Sequence, residues 1–330
     1  MDPYKGIKLV WLQKGSLKDP VLILVTHLAC CKGNNNQNYH CSCSSPQLAT
    51  WQVDINNAFL YGDLTKLVFM QQPPSFENAT TPTYVRKLNK ALYGLKQAPW
   101  AYFTKLTSTL TMWDFTASKS DSSLMIYASK GKLFSYLCWW HSCHKEQQST
   151  YFQVHLDLHH HFALKDMGQF HHFLGIEVIR QSTGLHLTQT KYIEDLLTKT
   201  RMIGATPIAI SCFTSFQLSQ YDGTLLENAT MYRSTVGALQ YLTISRPEIA
   251  FVVSKVNQFM HKSTDLHWKA SKRLLRYLKG TMHYGLFITL ASQLDLVAYS
   301  DVDWASNPDD RKSTSGCCIY LGSSLVSWGA

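Results

Sequence analysis

One aspartate at the end of a short apolar segment places the strongest constraint on how this chain can fold. Residues 51–60 read WQVDINNAFL, in which Asp54 closes a strand-like run and is followed by two asparagines that favour a turn. Strands hold their side chains rigidly and their ends often face an open cleft, so a carboxylate there suits a divalent-metal site. A surface or capping aspartate would give the same pattern, and a second motif is needed to decide.

The second motif lies at residues 91–99, which read ALYGLKQAP. In this order and at this spacing, the two stretches resemble the reverse transcriptase of copia-type LTR retrotransposons. Further matches follow in the family's order: LKDMG at 164–168, FLGI at 173–176, SRPEIA at 245–250, HW at 267–268, LRYLKG at 275–280, YSDVDW at 299–304 and RKSTSG at 311–316. The resemblance implies an α+β fold, a right-hand polymerase of fingers, palm and thumb followed by a truncated RNase H-like α/β domain.

The resemblance also implies a division of the chain into four parts. Residues 1–50 would be a degenerate fingers segment, and residues 51–189 the palm and fingers of the reverse transcriptase, with an aberrant block at 136–154. Residues 190–290 would hold the thumb or connection helices, and residues 291–330 the N-terminal part of the RNase H-like domain.

Local patterns in the sequence predict several elements independently of the resemblance. Apolar periodicity predicts helices after Pro99, from Lys191 and over residues 266–278. Turn residues between apolar runs predict hairpins at residues 181–184 and 322–324.

The implied chemistry is an attack of a primer 3′-hydroxyl on a nucleotide α-phosphate. Two Mg²⁺ ions about 3.5–4 Å apart stabilise the attacking and leaving oxygens, and carboxylate oxygens hold such hard cations. By resemblance, Asp54 is the first catalytic and metal-binding carboxylate, and Phe59 is the steric gate that disfavours a ribose 2′-hydroxyl. Gly94 and Gln97 would contact the incoming nucleotide. Asp301 would be the first catalytic and metal-binding aspartate of RNase H.

The second half of the polymerase metal site is missing from the sequence. Family members supply an adjacent aspartate pair from a Tyr-Val-Asp-Asp hairpin, whereas Glu146 and Asp157 are the only acidic residues between 122 and 163. Residues 135–144 read SYLCWWHSCH. Codons for Trp-Trp-His-Ser-Cys-His can be read in the next frame as Gly-Gly-Ile-Leu-Val, and the family follows its Asp-Asp with a run of that kind. Residues 136–154 are therefore interpreted as translated out of frame, and the chain is expected to be inactive.

The basic composition favours a polyanionic partner. The chain of 330 residues carries a net charge of +9 and has a pI near 9.0, which is typical of nucleic-acid-binding proteins but also of proteins that bind anionic surfaces. With the resemblance, an RNA/DNA primer–template hybrid becomes the expected partner. Its predicted contacts are basic residues near the second motif and on the helix at 266–278, namely Lys96, Lys269, Lys272, Arg273 and Arg276.

The apolar runs and the cysteine spacing indicate in which cellular setting the chain is expected. The longest strongly apolar run, at residues 21–25, is far too short to span a bilayer, and no signal pattern opens the sequence, so an intracellular, reducing setting is expected. Six of nine cysteines cluster at residues 30–43 and 138–143, but their spacings match no zinc finger. Neither the oligomeric state nor the choice between cytoplasm and nucleus is readable from the sequence.

Three interpretations stay open at this point. The chain is a degenerate polymerase fragment, a non-catalytic protein that keeps only nucleic-acid binding, or an active enzyme whose reading frame has been mispredicted.

Overall fold

The computed structural model describes residues 49–81, 83–118, 122–129, 132–137, 142–145, 148–169, 171–173, 175–212, 218–289, 295–305 and 307–329. Nearly all of the predicted degenerate fingers segment, 1–48, lies outside these residues. The described chain divides into two compact units, 49–169 and 171–329. Both helices and strands are abundant, which confirms the α+β class, whereas the four-part domain division stays a prediction.

The first unit holds eight strands, two helices and one 3-10 turn. In chain order they are β1 (Ala49–Ile55), a 3-10 turn (Ala58–Tyr61), β2 (Asp63–Gln71), β3 (Val85–Lys90), α1 (Ala98–Met112), β4 (Thr116–Ala117), β5 (Leu124–Ser129), β6 (Lys132–Leu137), β7 (Ser142–Lys145), α2 (Gln148–His161) and β8 (Leu164–Gln169). Six of these strands form one antiparallel sheet in the order β4-β5-β6-β7-β1-β8, and β2 pairs with β3 in a separate hairpin.

The core of the first unit lies between this sheet and its two helices. Val53 and Ile55 alternate with the exposed Asp54 along β1, so one face of the strand is buried and the other is open. On α1, Tyr102, Leu106 and Leu110 recur every four residues and are at most 3% exposed. Fully burying each such side chain stabilises the fold by about 1.5–3 kcal/mol. The apolar pattern after Pro99 therefore predicts the helix and its buried face correctly.

The described part of the second unit contains two sheets, four α-helices and one 3-10 helix (Pro247–Ile249). Its elements are β9 (His172–Phe173), β10 (Ile176–Gln181), β11 (Gly184–Thr188), α3 (Thr190–Lys199), α4 (Thr230–Leu242), α5 (Ala250–Asn257), α6 (Asp265–Gly280), β12 (Gly285–Thr289), β13 (Leu296–Asp303), β14 (Thr314–Leu321) and β15 (Ser324–Gly329). The strand orders are β12-β11-β10-β9 and β13-β14-β15. Both predicted hairpins are confirmed, since β10 pairs with β11 and β14 with β15 around the expected turns.

The helices of the second unit share one apolar core. Ile193 and Leu197 of α3, Leu239 of α4 and Leu274 and Leu278 of α6 are all fully buried within it. The 3.6-residue spacing of these side chains explains why the sequence predicts α3 and α6 well. Among the described residues, no helix is both long enough and apolar enough to cross a membrane.

Candidate polymerase and nucleic-acid site

Strand β1 presents Asp54 on its open face, next to a hairpin of two further strands. Strand β7 pairs with β1 from Ala49–Lys145 to Gln52–Ser142, and β6 pairs with β7 up to Leu137–Ser142. Asp54 lies two residues beyond Gln52, at the end of β1 nearest the join between β6 and β7. The sequence therefore still forms a β-hairpin beside the first carboxylate, as the resemblance implies, although residues 138–141 lie outside the described chain.

No carboxylate accompanies Asp54 from that hairpin. The sequence has no aspartate or glutamate from Ser122 to Lys145. On the other side of β1, the residue directly opposite Asp54 is Lys165 of β8. Directly opposed residues of antiparallel strands lie on one face with their Cβ atoms about 4.5–5.5 Å apart, so Asp54 faces a cation.

This donor set does not fit a pair of magnesium ions. Mg²⁺ takes six oxygen ligands in near-octahedral geometry, and a two-ion site needs carboxylates that bridge both ions. Asp54 supplies one carboxylate, with an ammonium-bearing residue opposite it. Within the described ranges, no group of three or more His, Cys, Asp or Glu side chains is placed to hold a metal ion.

The predicted steric gate, Phe59, lies in the 3-10 turn that follows β1 and is held by aromatic contacts. Its ring centroid lies 4.7 Å from that of Tyr93 and 6.2 Å from that of Tyr102. The hydroxyl of Tyr61 accepts a hydrogen bond of 2.8 Å from the backbone N–H of Ala163, which ties the turn to the start of β8. The structure thus brings Phe59 and Asp54 onto consecutive elements of one unit.

Close backbone contact fixes the same turn against helix α1. A side chain added at Gly62 would place its Cβ 2.8 Å from the backbone nitrogen of Tyr102. Only glycine permits this approach, because real Cβ contacts of that length are essentially absent from proteins. The Tyr-Gly pair after Phe59 therefore has a packing role that the sequence analysis missed.

The other predicted nucleotide contacts lie immediately before α1. Gly94 has φ of +91°, a left-handed conformation that favours glycine, and Gln97 occupies the N-cap position of the helix. Lys96 and Gln97 are both exposed. Nearby, Lys90 and Lys105 donate to Asp63 at 3.0 and 3.1 Å, and these hydrogen bonds lower the pKa of the Asp63 carboxyl.

The basic residues of α6 differ in their contacts and in their exposure. Arg276 Nε donates to the carbonyl oxygen of Thr206 at 2.7 Å, and Lys279 Nζ donates to that of Ala205 at 2.7 Å. These two side chains brace the segment that contains Ala205 and Thr206 against the helix. Lys269 pairs with Asp265 at 3.0 Å, and the Lys272 ammonium lies 5.4 Å from the Trp268 ring centroid. Lys269 and Lys272 are exposed, whereas Arg273 is partly buried.

Asp301 lies within β13 and is exposed. Its backbone pairs with Gly316 of β14, and its carboxylate accepts a hydrogen bond from the N–H of Val302 at 2.9 Å. All eight residues of β13 are exposed, including Tyr299 and Val302. Among the described residues, Asp301 belongs to no group of three or more His, Cys, Asp or Glu side chains placed to hold a metal ion.

Arg246 and His267 of the second unit lie within the family motifs, and the sequence analysis gave neither of them a role. Arg246 is 1% exposed and donates to Glu248 at 2.6 Å as well as to Thr281. His267 is 0% exposed and stacks on Phe259 at 4.0 Å. A charged or titratable residue inside an apolar helical pattern is the signal that could have identified both as buried network members.

Residues 43–214 match the family described as reverse transcriptase (RNA-dependent DNA polymerase), and this match covers a little over half of the chain. The chain belongs to that reverse transcriptase family. Its relatives include retrovirus-related Pol polyproteins from transposons, which confirms the resemblance to copia-type elements. The chain is 46% identical to that of transposon RE1 of Arabidopsis thaliana over 282 residues and 33% identical to that of TNT 1-94 of Nicotiana tabacum over 297 residues.

These relatives are much longer proteins. The aligned part is 84% of this chain but 19% of the RE1 polyprotein, and 86% of this chain but 22% of the TNT 1-94 polyprotein. Reverse transcriptases bind a nucleic-acid template and primer and generally use divalent metal ions.

Proposed function

We propose that this chain is a copia-type reverse transcriptase segment that binds a primer–template hybrid but no longer polymerises. The observation that carries the proposal is the strand β1 with its single carboxylate, Asp54, beside a hairpin without any. Two Mg²⁺ ions cannot be held against their hydration by one carboxylate. The fold around Asp54 persists because its core residues, such as Val53 and Ile55, do not depend on the lost hairpin carboxylates.

Binding is assigned to the exposed basic residues. Lys96 lies in the turn before α1, and Lys269 and Lys272 lie on the exposed side of α6. Arg273 and Arg276 were predicted to join them, and Arg276 can contribute charge while it also braces Thr206. Phe59, Gly94 and Gln97 remain proposed nucleotide contacts, and Mg²⁺ remains the expected ion of the family, with an incomplete site here.

The binding proposal is tested with a fluorescent RNA/DNA hybrid and the purified chain. We expect the logarithm of the affinity to fall linearly with the logarithm of the salt concentration, because phosphate contacts release counterions. Lys272→Ala should reduce the slope by about 0.9. The matched control is Lys312→Ala, which removes an exposed lysine that pairs with Asp310 in the β13–β15 region. An affinity that does not change with salt concentration would contradict the proposal.

A second candidate is an active enzyme with a mispredicted reading frame. It is favoured by the pairing of β6 with β7 and of β7 with β1, since the resemblance implies that the family's aspartate pair lies in a hairpin at this position. Sequencing the transcript and the genomic DNA across codons 125–165 decides between the two. A single-base correction that yields Tyr-Val-Asp-Asp supports the active enzyme, and an intact disruption in both supports the inactive segment.

We also propose that residues 291–330 are the start of an RNase H-like domain. The support is a three-stranded antiparallel sheet whose first strand, β13, carries Asp301 in the YSDVDW motif. RNase H chemistry needs clustered carboxylates and two metal ions, so no hydrolysis is expected from Asp301 alone. Release of RNA fragments from a hybrid by the purified chain, lost in Asp301→Asn, would support the domain assignment but contradict the expected absence of hydrolysis.

A further inference from the structure

The hairpin of β2 and β3 exposes a face that combines apolar and basic side chains. Phe69 lies directly opposite Lys87, and Gln71 lies opposite Val85. Opposed residues share a face, so Phe69, Val85 and Lys87 form one surface. Phe69 is 57% exposed and Val85 is 53% exposed, whereas Val68 and Leu88, on the other face, are partly buried. We call the first surface the hairpin face.

The described residues between these strands, 72–81 and 83–84, include two more exposed aromatic rings. Gln72 is 8% exposed, its Nε2 donates to the carbonyl of Thr81 at 2.7 Å and its Oε1 accepts from the N–H of Asn78 at 2.9 Å. Phe76 and Tyr84 are nevertheless 76% and 68% exposed. Gln72 therefore ties residues 72–81 together from within, and the Phe76 ring projects into solvent from this hydrogen-bonded part of the chain.

The charge of the hairpin is predominantly positive. Between residues 63 and 90 the sequence has four basic residues, Lys66, Arg86, Lys87 and Lys90, and two acidic ones, Asp63 and Glu77. Asp63 is neutralised by Lys90 and Lys105, which both donate to it. A partner therefore meets exposed aromatic rings among cations that outnumber the acidic groups, and charge complementarity points to a polyanion with flat apolar groups.

We propose that the hairpin face and the adjoining Phe76 and Tyr84 bind an unpaired nucleic-acid strand. Bases stack on aromatic rings with little sequence preference while lysine and arginine follow the phosphates. A paired duplex hides its base faces and cannot use exposed rings in this way. The inference rests on the proposed nucleic-acid-binding function and adds a surface for single strands in the first unit, separate from the basic residues of α6.

The test uses three labelled probes in anisotropy titrations: a blunt RNA/DNA hybrid, the same hybrid with an unpaired extension, and the unpaired strand alone. We expect Phe69→Ala and Tyr84→Ala each to weaken binding of the two unpaired probes about five-fold or more, with blunt-hybrid binding unchanged. Lys87→Gln should lower the salt slope for the single strand by about 0.7. Tyr221→Ala is the control, since Tyr221 is 75% exposed, with Lys262 5.3 Å from its ring, outside the hairpin.

The outcomes separate this inference from the proposed function. Equal binding of every probe by wild type and hairpin variants overturns the inference alone. Binding of the single strand without the blunt hybrid overturns the proposed function and leaves the inference standing. If no probe binds, both fail. Self-association of the chain that Phe69→Ala abolishes, with single-strand binding unchanged, would assign the hairpin face to a protein contact and overturn the inference.

Discussion

The guanidinium of Arg246 donates two hydrogen bonds to Thr281, one to its carbonyl oxygen at 2.9 Å and one to its hydroxyl at 2.6 Å. Thr281 directly follows α6, so the arginine satisfies a carbonyl that the helix end leaves without an intrahelical partner. The rings of Tyr277 and Tyr284 each lie 5.8 Å from the guanidinium carbon. The arginine in the SRPEIA motif is therefore a structural clamp on the second unit.

Removal of this clamp should destabilise the second unit strongly. Arg246→Ala leaves the Thr281 carbonyl without its donor and opens a cavity, and we expect a loss of about 3 kcal/mol in the free energy of unfolding. Arg246→Lys should recover part of the loss, since a lysine keeps the charge but cannot form the forked contact. Urea denaturation measures both. Lys312→Ala, at an 80% exposed side chain, is the control that should change little, and equal stability of Arg246→Ala would refute the clamp.

Protonation of His267 should make the second unit acid-sensitive. Its Nδ1 accepts from the N–H of Thr264 at 2.9 Å, which assigns the proton to Nε2, 3.2 Å from the carbonyl oxygen of Ser219. Burial lowers the pKa of His267 below its ordinary value of 6.5, although the Ser219 carbonyl and nearby Asp222, Asp309 and Asp265 oppose the shift.

Because the pKa of His267 is lowered in the folded state, the protein should lose stability as the pH falls. The unfolded state binds the proton first as the pH falls, so the stabilisation is complete above about pH 6.5 and is lost as the pH falls through the folded-state pKa. For the wild type, the urea concentration at the unfolding midpoint should be lower at about pH 5 than at about pH 8. This difference should be smaller for His267→Gln. An identical pH dependence in the two proteins would show that another group is responsible.

Gly62 should tolerate no side chain. A Cβ at this position would lie 2.8 Å from the Tyr102 nitrogen and 2.9 Å from the Cβ of Ala101, so Gly62→Ala must push the 3-10 turn away from α1. We expect a cost of about 1–3 kcal/mol in the free energy of unfolding. The matched control is Gly237→Ala in α4, where nothing lies within 4 Å, and there alanine should stabilise the helix by up to about 1 kcal/mol. A neutral Gly62→Ala would contradict the packing described.

On α6, Arg276 should contribute to stability, whereas Lys272 should contribute to nucleic-acid binding. Arg276→Ala removes the brace on Thr206 and should lower thermal stability, whereas Lys272→Ala should leave stability unchanged and weaken binding of the hybrid. Parallel thermal melts and hybrid titrations of the two variants check this. A stability loss in Lys272→Ala as large as that in Arg276→Ala would argue against the assignment.

Sequence patterns predicted the elements whose apolar residues have one dominant period. The Tyr102, Leu106 and Leu110 spacing predicted α1, and the Ser182-Thr183 turn between apolar runs predicted the β10–β11 hairpin. The bracing contacts of Arg276 and Lys279 on α6 were not predictable, because their acceptors are backbone carbonyls some 70 residues away. Side-chain type carries no information about such carbonyls. The assigned roles of Asp54, Phe59 and Asp301 came from the family resemblance, and their local geometry came only from the structure.

The proposed loss of polymerase activity is tested most directly by magnesium-dependent primer extension on an RNA template, measured for the purified chain beside its Asp54→Asn variant. We expect no extension by either protein, while both still bind the hybrid, because the hairpin of β6 and β7 beside Asp54 supplies no carboxylate. Extension by the wild type that Asp54→Asn abolishes would contradict the central claim and would show that this single-carboxylate site supports polymerisation.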